Sequence, residues 1–178
     1  MKRIKLLDKE FGLSIPASEL KKAIWQIAEK INRDLKDKNP LMVCILNGSF
    51  MFSADLMKLI EFPCQISFVK FASYEGMGST GKVKQLIGFN EELKGRTIVL
   101  LEDIVDTGIT IENSIQQLKD LGAKDVHVAT LLFKPEAYKK DLQLDYIGLE
   151  IPNEFIVGYG LDYNGFGRNL PDIYSVIE

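Results

Sequence analysis

The period of the apolar positions changes several times along the chain, and each change marks an element. From about Ser18 to Lys36, the residues Leu20, Ala23, Ile24, Ile27, Ala28 and Ile31 recur three and four apart, with lysines and glutamates between them. That spacing predicts a helix with one buried stripe, ended by Lys36-Asp37-Lys38-Asn39-Pro40. Leu41 to Leu46 is an unbroken apolar run, suited to a strand covered on both faces. Asn47-Gly48-Ser49 ends it, and a helix carrying Phe52, Leu56, Leu59 and Ile60 follows. Cys64 to Phe71 alternates as a strand does. Residues 73–82 then hold three glycines and hardly an apolar anchor, the composition of a mobile lid, before Lys84 to Phe89 returns as the second strand of a flap. Ile98 to Leu101 is another buried run, and Ile111, Ile115 and Leu118 place a helix over 109–121 with Gly122 as its cap. Val126 to Phe133 predicts the next strand, and Asp145 to Leu149 and Glu154 to Tyr159 two shorter ones around Pro152-Asn153. Residues 1–17 read as an arm with short apolar pieces at Ile4, Leu6, Leu7 and Phe11.

Strands alternating with helices predict an α/β fold, a mainly parallel sheet flanked by helices. Its 178 residues suffice for one domain with a proper core. Composition adds exclusions. A formal charge of −3 and a pI near 5.4 argue against a life on nucleic acid or on an anionic membrane. No run approaches membrane-spanning length and no signal peptide opens the chain, so a cytoplasmic domain is expected. Cys44 and Cys64 lie in apolar stretches without metal-ligand spacing and read as reduced core thiols. The single histidine, His127, sits in a strand pattern and reads as structural.

The candidate chemistry collects in Thr97 to Thr110, TIVLLEDIVDTGIT. An apolar strand runs into two carboxylates, Glu102 and Asp103, and then into the turn Asp106-Thr107-Gly108 at the start of a helix. Unpaired amides at a helix start, with the positive end of its dipole, welcome a phosphate. Gly108 allows positive φ and close approach, and Thr107 and Thr110 add hydroxyl donors. Glu102 and Asp103 repel a phosphate; sugar hydroxyls and a hard cation such as magnesium are their natural partners. Acid at one end and anion donors at the other suit a phosphorylated sugar. Asn47-Gly48-Ser49 repeats the strand-loop-helix pattern and offers a second anion site, although taken alone it is also an ordinary turn.

This segment closely resembles the phosphoribosyl-pyrophosphate motif of type I phosphoribosyltransferases, and EDIVDTGIT looks most like their hypoxanthine-guanine branch. The resemblance extends from about residue 8 and rests on four segments in order: 46–49, 73–80, 98–110 and 154–168. It implies a core of about 18–150, a flap loop, and a small hood from about 1–17 and 151–178. It implies transfer of a phosphoribosyl group from 5-phosphoribosyl 1-pyrophosphate to a 6-oxopurine, with magnesium, in a homodimer or homotetramer. Asp106 would exchange a proton with purine N7. Glu102 and Asp103 would hold the ribose diol and its metal, and Asp162 would help fix the base and hold a magnesium ion that also touches pyrophosphate. Thr107, Gly108 and Thr110 would clamp the 5-phosphate. Asn47 and Gly48 would face pyrophosphate with the lid pair Ser73 and Tyr74, and Arg168 would reach the departing anion. Lys134 would donate to the exocyclic oxygen of the base, Phe155 would stack on it and Ile156 would offer backbone groups to its edge. One departure stands out: the family's loop usually reads Leu-Lys-Gly with a strained peptide before the lysine, and here Asn47 takes the lysine's place. A relative acting on xanthine or uracil shares most of these features, and a phosphoribosyltransferase-like RNA-binding regulator shares the fold but needs a basic face.

Overall fold

The computed structural model describes residues 2–71, 85–87 and 91–177. In chain order the elements are β1 (Arg3–Leu6), β2 (Lys9–Ile15), α1 (Ala17–Leu35), β3 (Leu41–Ile45), α2 (Phe50–Met57), β4 (Gln65–Phe71) and β5 (Gln85–Ile87). They continue with β6 (Thr97–Val105), α3 (Ile109–Asp120), β7 (Asp125–Phe133), β8 (Tyr146–Glu150), β9 (Ile156–Val157) and β10 (Ile173–Ile177). Six strands form the main sheet in the order β5-β4-β3-β6-β7-β8, all parallel except β5 at one edge.

The burial of β6 explains its central place. Ile98, Val99, Leu100 and Leu101 are all fully buried, and period-two alternation divides them between two cores. Val99 and Leu101 pack with Ile24, Ile27 and Ile31 of α1 and Phe52 and Leu56 of α2. Ile98 and Leu100 pack on the other face with Ile111 and Leu118 of α3. Both faces of the sheet are covered by helices, as parallel strands require.

Four strands from the two ends of the chain make a second, small sheet, β1-β2-β10-β9. Phe11, Val157 and Tyr174 form its buried centre. We call this region the hood.

Two strands differ from the sequence expectation. β6 does not end at Leu101 but continues through both carboxylates to Val105, because its ladder with β7 runs on to Val105↔Phe133. The strand expected over 154–159 shrinks to Ile156–Val157, because Gly158, Tyr159 and Gly160 all take positive φ (105°, 47° and 100°) and turn the chain out of the sheet. Among the described residues, no helix is long and apolar enough to cross a membrane. The lid of 73–82, with Ser73 and Tyr74, lies outside the described residues, and of the expected flap strand only Gln85–Ile87 is described, paired antiparallel with β4.

Candidate active site

The carboxyl ends of β6 and β7 build the site. Residues 102–108, Thr110 and Ile111 line one hollow of about 270 Å³. Gly108 caps α3 with φ +84°, a left-handed conformation that a side chain would strain. The first turn of α3 carries no side-chain cap, and its Thr110 and Ile111 line the hollow, an arrangement suited to an anion.

Glu102 and Asp103 lie inside the strand and are only 7% and 8% exposed. Burial, and then the charge of Asp103, push the Glu102 carboxyl well above its ordinary range. Burial raises Asp103 as well, offset in part by the neighbouring Glu102 carboxyl, by the Ile104 amide, which donates to Asp103 Oδ1 at 2.9 Å, and by the charge of Arg168. Among the described residues, the buried Glu102 Oε2 has no hydrogen-bond partner. An orphaned carboxylate oxygen beside a second carboxylate fits a hard cation that completes its shell with substrate oxygens and water. Among the described residues, no three acidic, histidine or cysteine side chains converge on a single point. Asp162, the third residue expected at magnesium, receives Arg168 Nη2 and the Gly165 amide, each at 2.6 Å.

The end of β7 comes beside that of β6 because the Lys134 amide donates to the Val105 carbonyl at 3.0 Å. That register carries the Lys134 side chain, buried rather than solvated, to within 3.4 Å of Asp106 Oδ2. On the opposite side, the Asp103 carboxylate fills the space where a Gly48 side chain would stand. The peptide between Leu46 and Asn47 is cis, and the Asn47 side chain is exposed at the loop tip. Ser49 begins α2 with its hydroxyl donating to the Ile45 carbonyl at 2.6 Å.

The hood supplies the remaining expected residues. Arg168 donates through Nη1 to the Gly160 carbonyl at 2.6 Å. Phe155, 46% exposed, stands edge-on to Tyr163 at 5.8 Å and 6.3 Å from Phe11. Ile156 is buried in β9, with its backbone paired to Ser175. The structure thus gathers Glu102, Asp103, Asp106, Thr107, Gly108 and Thr110 around one hollow, with Lys134 and Gly48 directly against them. Phe155 stands against the hood aromatics Phe11 and Tyr163, whereas Ile156 packs into the main core.

Two groups of contacts were not foreseen. A strap after β7 lies on the phosphate loop: the Lys139 amide donates to the Thr107 carbonyl at 3.2 Å, and Tyr138 and Lys140 press on Gly108. Lys140 Nζ also reaches Glu112 in the first turn of α3 at 2.5 Å. Farther off, the Tyr159 hydroxyl donates to Asp55 of α2 at 2.5 Å. Nothing in the local pattern marks either, since both join residues remote in sequence. His127 Nδ1 lies 3.1 Å from Asp145, whose other oxygen accepts the Val128 amide. Cys44 and Cys64 are free thiols.

Comparison with known proteins agrees with this geometry. The family model described as phosphoribosyl transferase domain matches residues 16–164. A hypoxanthine-guanine phosphoribosyltransferase of Streptococcus pyogenes is 42% identical over 147 residues, 82% of each chain. The crystal structure of a hypoxanthine-guanine phosphoribosyltransferase from Bacillus anthracis superposes with a TM-score of 0.86 at 36% identity, covering 94% of this chain and 97% of that one. A hypoxanthine phosphoribosyltransferase from Staphylococcus aureus gives a TM-score of 0.87 at 32% identity, covering 93% of this chain and 91% of its own. The chain belongs to the phosphoribosyltransferase family, in its hypoxanthine-guanine branch.

Proposed function

We propose that this chain joins hypoxanthine or guanine to 5-phosphoribosyl 1-pyrophosphate, releasing pyrophosphate and the nucleoside monophosphate. The observation that carries this reading is the Lys134–Asp106 pair at the rim of the hollow that also holds the phosphate loop. A buried lysine there can donate to the 6-oxygen of a purine, and a carboxylate beside it can take the proton from N7. As N9 forms its bond to C1 of the ribose, the bond from C1 to pyrophosphate breaks and its electron pair leaves with pyrophosphate. Asp106 receives the N7 proton, so positive charge does not build on the base. Thr107, Thr110 and the amides of the turn hold the 5-phosphate and orient the sugar. Glu102 and Asp103 would hold the ribose diol and its magnesium, Asp162 would help fix the base and hold magnesium at the pyrophosphate, and the cation would supply positive charge to stabilise the leaving anion. Arg168 and the amides of Asn47 and Gly48 face the same anion. Phe155 stacks on the base and Ile156 presents backbone groups to its edge, while Ser73 and Tyr74 of the lid close over pyrophosphate. The protein works in the cytoplasm, as a dimer or tetramer.

The test is pyrophosphate release from 5-phosphoribosyl 1-pyrophosphate with magnesium, run separately against hypoxanthine, guanine, xanthine, adenine and uracil. Turnover with hypoxanthine or guanine, and none with adenine, is expected. Turnover with xanthine or uracil alone overturns the substrate assignment, and silence with all five overturns the activity.

A further inference from the structure

The loop 47–49 is gripped from two sides. The Asp103 carboxylate occupies one side of Gly48, and on the other Gly160 lies so close that a Cβ there would overlap the Gly48 carbonyl oxygen. Gly160 has a second task, because its own carbonyl accepts Arg168 Nη1 at 2.6 Å. A single hood residue thus touches both the loop and the guanidinium that the proposed function assigns to pyrophosphate.

What fixes Gly160 is less obvious. It ends three successive left-handed residues, and Tyr159, which has a side chain, sits among them at φ 47°. That conformation is unfavourable for such a residue and persists only where surrounding contacts impose it. The Gly158, Tyr159 and Gly160 amides donate to the carbonyls of Leu161, Leu170 and Arg168 at 3.0, 2.8 and 2.9 Å. These bonds stay within the hood and would travel with it. The Tyr159 side chain does not stay there. It is 5% exposed, packs in the core cluster with α1 and α2, and donates its hydroxyl to Asp55 of α2 at 2.5 Å. α2 is the helix that loop 47–49 opens, so this bond ties the turn carrying Gly160 to the element carrying Gly48. Asp55 is held in place by Lys58 at 2.5 Å.

We propose that Tyr159 and Asp55 are positioning residues for pyrophosphate: their hydrogen bond sets Gly160 between the Gly48 carbonyl and the Arg168 guanidinium, so that loop and guanidinium address one anion. This rests on the assignment of pyrophosphate to 47–49 and Arg168. It predicts a selective defect, since none of Tyr159, Asp55, Gly160 and Arg168 lines the hollow at the start of α3.

The experiment measures binding of inorganic pyrophosphate with magnesium, and separately of ribose 5-phosphate, to the intact protein by calorimetry. Tyr159→Phe keeps the ring and removes the hydroxyl; Asp55→Asn keeps an acceptor oxygen and Asp55→Ala does not. Tyr159→Phe and Asp55→Ala are expected to weaken pyrophosphate by about fivefold, the scale of one lost hydrogen bond to a charged group felt at second hand. Ribose 5-phosphate should stay unchanged, and Asp55→Asn should lie nearer the parent protein than Asp55→Ala. Unchanged pyrophosphate affinity in Tyr159→Phe, or equal loss for both ligands, overturns the positioning role. Should Tyr159→Phe fail to fold, the two substitutions at the half-exposed Asp55 decide by the same comparison. Arg168→Gln separates the two levels: if it leaves pyrophosphate binding intact, the pyrophosphate assignment itself falls and this role falls with it.

Discussion

On the proposed function Asp106 and Lys134 divide the work on the base, and substitution separates their parts. Asp106→Asn keeps size and polarity but cannot take a proton, so kcat should fall by about 10²–10⁴-fold while the KM for the sugar donor changes little. Lys134→Ala should act chiefly on the purine KM. Steady-state kinetics with each substrate varied in turn distinguish the two, and equal losses in both parameters for Asp106→Asn would remove it from proton transfer. Glu102 invites a different substitution. Its buried Oε2 has no partner among the described residues and its carboxyl is raised by burial, so ionised Glu102 opposes folding. A raised acid has its full stability below the ordinary carboxyl value and loses it as pH climbs through the folded value. Glu102→Gln should therefore stabilise the ligand-free protein at neutral pH by roughly 1–3 kcal/mol, a gain that disappears on acidification to about pH 4. The same variant should bind the sugar donor with magnesium more weakly. Thermal melts with and without that ligand test both halves; a lower melting temperature without ligand would contradict the first.

The strand-loop-helix units are the scale at which sequence and structure agree best. α1 was legible because its stripe is wide and its other face charged, and β3 and β6 because continuous apolar runs between turn residues have few alternatives. The carboxyl-end loops at the hollow were legible for the same reason, being punctuated by Asn47-Gly48 and Asp106-Thr107-Gly108. What escaped was set by neighbours. Glu102 and Asp103 look like a strand's solvent end, and only the β6–β7 ladder holds them inside. Lys134 looks solvated until its register against Val105 is known. Gly108 was chosen for its turn, but its neighbours add a second constraint: a Cβ there would stand 2.5 Å from Tyr138 Cε2 and 2.9 Å from Lys140 Cγ. Gly108→Ala should therefore cost on the order of 1–3 kcal/mol through strained φ and the displaced strap. It should also raise the KM for the sugar donor by displacing the phosphate loop. Urea unfolding and donor kinetics on one preparation check both, and an unchanged midpoint would mean the strap yields freely.

Across the whole molecule, α1 joins the main sheet's far edge to the rest of its core through Tyr146 of β8. Burial, aided by the negative charges of Asp34 and Asp145, pushes the Tyr146 phenol up to about 12. Between the ordinary value of 10.0 and about 12, the unfolded chain ionises first, so stability falls as pH rises through that window. Tyr146→Phe should make the alkaline decline in the denaturation midpoint shallower over that range; an identical slope would show that the phenol stays protonated in both states.

The hood adds a matter of timing. Its strand β2 is complete at Ile15, yet the strand it pairs with, β10, runs from Ile173 to Ile177. On a ribosome adding roughly 5–20 residues per second, β2 waits on the order of ten seconds for that partner, with Phe11 uncovered meanwhile. A nascent chain halted before Ile173 would carry the main sheet and the phosphate loop but no closed hood around Arg168. Synthesis itself would then withhold turnover until the final strand is in place.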